Sequence, residues 1–289
     1  MRKVKVAATQ MSIAWDLKSN VEKACKMIRQ CAKNGASIIL LQELFLTPYF
    51  CQKEKYEYFD LAIENIYESE FYKTFSSLAK ELHVVLPISF FEKSGVAYYN
   101  SIVVIDADGK SLGIYRKTHI PTGECYEEKF YFTPGDTGFR VFSTAFGKIG
   151  IGICWDQWFC ETARCLTLMG AEVLLFPTAI GSEPVLPLDS STHWQNVMCG
   201  HAASNIIPVL ASNRVGTEKD DDSSMTFYGS SFIANEEGTK VEELNKVEEG
   251  YIIHEFDLDE INKKRRNWGI FRDRRPDCYK AILLQDASK

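Results

Sequence analysis

Positive charge is in deficit: 33 lysines and arginines stand against 39 acidic residues, a formal net charge of -6. That balance repels phosphate backbones and anionic membrane surfaces, so no nucleic acid and no membrane are expected as partners. No apolar run reaches membrane-spanning length, and Met1-Arg2-Lys3-Val4-Lys5-Val6 lacks the long apolar stretch of a secretory leader. None of the nine cysteines forms a Cys-x-x-Cys pair, and their number is odd. Free thiols in a reducing compartment fit that pattern better than a disulfide framework, so a cytoplasmic protein is expected, with most cysteines acting as small apolar packing residues. The five histidines are scattered without a His-x-x-x-His spacing, which leaves no recognisable metal-ligand set.

What the sequence does contain is the composition of an ordinary globular protein, 45% hydrophobic and 25% charged. Its 289 residues suit one large sheet-based domain spanning 1–289 without a linker. A basic run from Lys263 to Arg266 continues into Arg272, Arg274 and Arg275. Asp257, Asp259, Glu260, Asp273 and Asp277 interleave with it, which favours a solvated helix end or a subunit-contact face from about residue 262.

Apolar periodicity organises the rest. Val4 to Gln10 reads as a strand, followed by a helix with Val21, Ala24, Ile28, Cys31 and Ala32 on one face, capped by Ser19 or Asn20 and stopped by Asn34-Gly35. Ser37 to Leu41 reads as a strand buried on both faces, which completes a β-α-β unit. Phe71 to Leu82 is helical, Val84 to Phe91 extended, and Asn100 to Ile105 pairs with Leu112 to Arg116 across Asp108-Gly109. Lys148 to Ile153 is a strand that runs into a helix with Phe159, Ala163, Leu166 and Met169 on one face. Val173 to Phe176 is a strand, Trp194 to Ser204 a helix and Ile207 to Ser212 a strand. Asn34-Gly35-Ala36 before Ile38 to Glu43 echoes Met169-Gly170-Ala171 before Val173 to Thr178. Pseudo-symmetry or general α/β grammar produces such an echo equally well. In the first case Glu43 and Thr178 lie at equivalent strand ends, where open α/β sheets carry their sites.

Three residues carry chemistry in this pattern. Cys154 ends the glycine-spaced strand Gly147 to Ile153 and precedes a helix, like a nucleophile elbow in which helix-start NH groups favour a thiolate. Glu43 follows the apolar run Ile38 to Leu41, and burial suits such a carboxylate to general-base work. Lys117 follows Leu112 to Arg116, where an ammonium stabilises an oxyanion. Taken singly, each has a blander reading: a packing cysteine, a capping or salt-bridging glutamate, a surface lysine. His119 reads as a hydrogen-bonded core or loop residue.

Together these segments resemble the nitrilase, or carbon-nitrogen hydrolase, superfamily. The matching motifs are Leu41-Gln42-Glu43-Leu44-Phe45 for the base, Tyr115-Arg116-Lys117-Thr118-His119-Ile120-Pro121 for the lysine and Gly152-Ile153-Cys154-Trp155-Asp156 for the nucleophile. Glu128, in Glu127-Glu128-Lys129-Phe130-Tyr131-Phe132, matches the second glutamate of that superfamily, which supports the lysine and substrate. The resemblance runs from Val4 to about Tyr279. It implies an α/β fold, a four-layer α-β-β-α sandwich with two mixed sheets, no cofactor or metal, and a homo-oligomer built from dimers through the cysteine-bearing helices.

Members of the superfamily cut nitriles, amides, N-carbamoyl amines or amino acids, and glutamine. Asp156-Gln157-Trp158 follows the cysteine, without the arginines that grip a substrate carboxylate. With the segment Phe176 to Pro184, Trp268-Gly269 and Arg272 to Asp277, the chain is similar to the members that act on N-carbamoylputrescine. That similarity implies Glu183 for a distal ammonium, with Tyr49, Trp155 and Thr178 against the substrate. A β-ureidopropionase-like or aliphatic-amidase activity is the alternative, and outside enzymes a small-molecule-binding or thiol redox protein.

Overall fold

The computed structural model describes residues 1–182 and 189–286. Alternation along the strands sets the architecture. Val4, Val6 and Ala8 enter one apolar cluster while Ala7, between them, enters another, and Ile38 and Leu40 part from Ile39 and Leu41 in the same way. A strand with apolar residues on both faces must be covered on both faces, and here one cover is a second sheet and the other a helix layer.

Five strands lead the chain: β1 (Lys3–Gln10), β2 (Ile38–Leu40), β3 (Leu86–Ser94), β4 (Ala97–Ile105) and β5 (Ser111–Arg116). β1 and β2 are parallel, a bridge from Ile38 to Val85 carries the sheet on toward β3, and β3, β4 and β5 are antiparallel neighbours. The second sheet begins with β6 (Val141–Thr144), β7 (Gly147–Ile151), β8 (Val173–Pro177) and β9 (Val209–Ser212), in which β7, β8 and β9 run parallel. A hairpin of β10 (Val215–Asp220) and β11 (Ser223–Tyr228) follows. β12 (Phe232–Ala234) and β13 (Lys240–Glu243) extend the second sheet, and β14 (Gly250–Asp257) returns to pair antiparallel with β1.

Both sheets are therefore mixed, and their facing sides share one core: Val6, Leu40, Ile102 and Tyr115 from the first meet Ile149, Ile151, Val173, Leu175 and Leu210 from the second. Helices α1 (Leu17–Lys33) and α2 (Glu70–Leu82) cover the outer face of the first sheet. A single turn, α3 (Glu128–Tyr131), lies between β5 and β6, and α4 (Cys160–Leu168) and α5 (Ser191–Asn205) cover the outer face of the second sheet. The result is the expected four-layer α-β-β-α sandwich. The last helix, α6 (Leu258–Trp268), is capped by Asp257 and ended by Gly269 in the left-handed region.

Local details depart from the sequence reading. The cap of α1 is Asp16, whose Oδ1 accepts from the NH groups of Lys18 and Ser19. Asn20 instead bonds Ala14 and Leu46, which fixes the preceding turn. Periodicity marks where a helix becomes buried, and α1 starts a turn earlier. Met169 lies one residue past α4 and is 51% exposed, so it leaves the face shared by Ala163 and Leu166.

Candidate active site

Two strand ends and two turns bring the expected groups together. Glu43 follows β2 in a turn where Leu44 takes a φ of 48°, held by a bond from its NH to Ser89 Oγ. Lys117 follows β5; its NH donates to the Asn100 carbonyl and its own carbonyl accepts from Gly135. Gly135 comes so close that a Cβ there would sit 2.2 Å from the Arg116 carbonyl oxygen, so only glycine fits. Glu128 opens α3. Cys154 follows β7 with a φ of 42°, an uncommon conformation for a non-glycine residue and one that matches the expected elbow.

Cys154 is buried, and Glu43, Lys117 and Glu128 are fully so. Lys117 Nζ lies 2.8 Å from Glu43 Oε1 and 2.6 Å from Glu128 Oε2. Asn100 Nδ2 donates to the same Glu43 Oε1 at 2.6 Å, while Glu43 Oε2 takes no hydrogen bond among the described residues. Cys154 Sγ points its weak donor to the Ala179 carbonyl, 3.9 Å away.

One ammonium among several acids sets the electrostatics. Burial works against the charge of Lys117, but Glu128 and Glu43 outweigh it and keep its pKa well above the usual lysine range. Burial raises Glu128, and the charge of Glu43 adds to that, against the pull of Lys117. The Cys154 thiol is raised by burial first and by Glu43 second. A short 3-10 turn, Cys154–Trp158, follows the cysteine where the sequence suggested the start of a longer helix, and α4 begins only at Cys160.

A closed polar ring holds this arrangement. The Arg214 guanidinium donates to the carbonyls of Glu43 and Leu44 and to both oxygens of Glu218. Glu218 Oε2 accepts from the Tyr49 NH at 2.5 Å, and the Tyr49 hydroxyl donates to Glu128 Oε1 at 2.6 Å. Glu128 leads through Lys117 back to Glu43. On the thiol side, Asp156 accepts from the NH of Ile153 and from the Tyr115 hydroxyl with Oδ2, and from the NH of His119 with Oδ1, which also faces His119 Nδ1 at 2.7 Å. The nucleophile turn is thus fastened to the strand end that carries Lys117, and His119 has the hydrogen-bonded role read from the sequence.

The residues expected against the substrate fare differently. Tyr49 is fully buried, and its hydroxyl braces Glu128. Thr178 is fully buried too; its hydroxyl donates to Gln157 Oε1, which also accepts from Trp194 Nε1, and that engages it in holding the nucleophile turn. Trp155 is 40% exposed and meets Trp158 edge to face. Glu183 lies outside the described residues. Asn100, Arg214 and Glu218 escaped the sequence reading. The one available signal was a polar residue inside an apolar strand, Tyr99-Asn100-Ser101, or directly after one, Ser212-Asn213-Arg214.

An α-β-β-α sandwich with a buried thiol, a buried ammonium and two buried carboxylates at its strand ends defines a thiol-containing hydrolase of the nitrilase type. The chain belongs to the carbon-nitrogen hydrolase family, which it matches over residues 5–266. It is 51% identical to an N-carbamoylputrescine amidase from Arabidopsis thaliana, across 99% of this chain and 97% of that protein. It is 52% identical to a citrullinase from Francisella tularensis subsp. tularensis, across 98% of this chain and 99% of that one. A crystal structure of a carbon-nitrogen hydrolase from Helicobacter pylori G27 superposes with a TM-score of 0.91 at 38% identity, covering 98% of this chain and 99% of that chain. The protein is an enzyme that hydrolyses carbon–nitrogen bonds.

Proposed function

We propose that the chain hydrolyses N-carbamoylputrescine to putrescine, carbon dioxide and ammonia in polyamine biosynthesis, through a carbamoyl group carried on Cys154. The observation that carries this reading is the 51% identity, over nearly the full length of both chains, to an N-carbamoylputrescine amidase. Glu43, with Oε2 uncommitted, removes the thiol proton, and the sulfur attacks the ureido carbonyl. An ammonium has three N–H donors; Lys117 uses two on Glu43 and Glu128 and keeps one for the oxyanion, with the backbone NH near Trp155 as its companion. Glu43 returns the proton to the departing ammonia. Glu43 then takes a proton from water, which attacks the S-carbamoyl carbon and frees Cys154. The N-alkylcarbamic acid decomposes to carbon dioxide and putrescine.

The citrullinase relative supports a second reading, because citrulline has the same ureido group with a carboxylate beside its amine. Binding that carboxylate calls for a cation, and the buried cations here are engaged: Lys117 by two carboxylates, Arg214 by Glu218 and two backbone carbonyls. Residues 183–188, Glu-Pro-Val-Leu-Pro-Leu, add no cation, and Glu183 is proposed to meet the distal ammonium. Ammonia release from N-carbamoylputrescine, L-citrulline and N-carbamoyl-β-alanine tests the reading with one preparation. Preference for N-carbamoylputrescine in kcat/KM is expected; preference for either carboxylate-bearing substrate overturns it.

Within this proposal the chain is one domain over 1–289, acting in the cytoplasm as a homo-oligomer built from dimers, with the segment from about residue 262 at a subunit contact. Among the described residues, no helix is long and apolar enough to cross a membrane.

A further inference from the structure

A carboxylate has two oxygens, and a base whose two oxygens are equivalent has no fixed direction. In this site they are not equivalent. Glu43 Oε1 receives Lys117 Nζ at 2.8 Å and Asn100 Nδ2 at 2.6 Å, whereas Oε2 is buried with no hydrogen-bond partner among the described residues. Asn100 is itself fully buried in β4, where a polar side chain has no packing reason to be. Its amide orientation follows from chemistry: an oxygen turned toward Glu43 would oppose two acceptors at hydrogen-bond distance, so the nitrogen must face the carboxylate. The same residue's carbonyl accepts the Lys117 NH at 2.8 Å. One side chain and its backbone thus hold the base and the lysine in a common frame.

We propose that Asn100 is the positioning residue of the general base: its amide turns Glu43 so that Oε1 is bound and Oε2 alone moves the proton. Lys117 cannot do this by itself, because it is shared with Glu128, and a single ammonium can sit against either oxygen of a freely turning carboxylate. The other charged or titratable groups around Glu43 are Glu128, Cys154, Tyr49 and Cys51, with Arg214 on its backbone carbonyl. None of these donates a hydrogen bond to the Glu43 carboxylate among the described residues. The inference rests on Glu43 acting as the base but not on the identity of the substrate.

The test uses Asn100→Ala and Asn100→Ser in the full chain, with two readouts: the pH dependence of kcat and KM for N-carbamoylputrescine, and that of Cys154 alkylation by iodoacetamide. A carboxylate that loses an N–H donor holds its proton to higher pH. In Asn100→Ala the acid limb of both profiles should move up by about half a pH unit or more, with kcat down roughly tenfold or more and KM within about threefold. Asn100→Ser, with a donor of shorter reach, should recover part of the limb. Loss of rate at every pH with the limb unmoved would make Asn100 merely structural and overturn the proposal, as would wild-type rates in both variants. Loss of soluble protein in both variants would assign Asn100 to folding alone. If N-carbamoylputrescine is not turned over by the wild type, the alkylation profile still decides the role of Asn100, so the two proposals fail separately.

Discussion

At the scale of single residues, the protonation of Cys154 shapes the chemistry. Burial and the charge of Glu43 both raise its pKa, which in the proposed mechanism leaves formation of the thiolate to the base. Cys154→Ser should fold and lose essentially all turnover, since a hydroxyl is far harder to deprotonate; turnover near wild type would remove Cys154 from the mechanism. In Glu43→Gln, turnover should vanish and iodoacetamide labelling of Cys154 should move into the alkaline range; unchanged labelling at neutral pH counts against Glu43. Lys117→Ala should lose oxyanion stabilisation worth about 3 kcal/mol, read from kcat/KM. It also leaves two buried carboxylates without their cation. A carboxyl whose folded-state pKa is raised, as that of Glu128 is, binds more protons folded than unfolded, so its contribution to stability falls as pH rises. Lys117→Ala should therefore lose stability from about pH 4 upward more steeply than wild type. Urea unfolding at several pH values checks this, and parallel curves would contradict it.

At the scale of elements, the site depends on turns that hydrogen bonds hold in place. The Arg214–Glu218 pair ties the turn after β2 to the Tyr49 backbone. Removing one member of a buried pair leaves the other uncompensated, so Glu218→Gln should cost about 3 to 5 kcal/mol of unfolding free energy and lower kcat by loosening Glu43 and Glu128 together. A change within 0.5 kcal/mol, on the order of a neutral surface substitution, would show that the ring carries no load. The elements themselves were readable from the chain because period-2 and period-3.6 apolar patterns follow from burial: β1, β2, β8, α2 and α5 all lie where periodicity put them to within a few residues. Glu43, Lys117 and Cys154 were readable because each follows a strand and stands inside a motif that resembles the carbon-nitrogen hydrolase family. Between Ser212 and the helix end read near residue 262 no element was assigned, since β10 and β11 mix exposed with buried residues and carry no clean period. No sequence sign shows that the Tyr49 and Thr178 hydroxyls point inward to Glu128 and Gln157. Asn100 and Arg214 make contacts with residues far apart in the chain, so the local pattern marks them as polar residues in or after a strand but does not name their partners.

At the scale of the whole molecule, each sheet supplies part of the site: Glu43, Asn100 and Lys117 come from the first, Cys154 and Ala179 from the second. The nucleophile turn runs straight into α4, and the end of that helix leaves Leu168 46% and Met169 51% exposed, with Trp155 exposed in the turn itself. Large apolar side chains left in the open lower their free energy when another surface covers them, at about 25 cal/mol for each Å² removed from water. A copy of the same chain is the cover proposed, and a two-fold contact there would press on the element that positions Cys154. The double variant Leu168→Glu, Met169→Glu places charge in such a contact, where an unpaired carboxylate is costly to desolvate. Light scattering should find the wild type at a multiple of the chain mass and the variant at a smaller one, and turnover per chain should fall with the mass, because the turn after Cys154 loses its outer support. A wild type of single-chain mass would refute assembly. A variant with unchanged mass would move the contact away from α4, toward the segment beyond residue 262, where Trp268 and Leu283 are the next large apolar groups in the open.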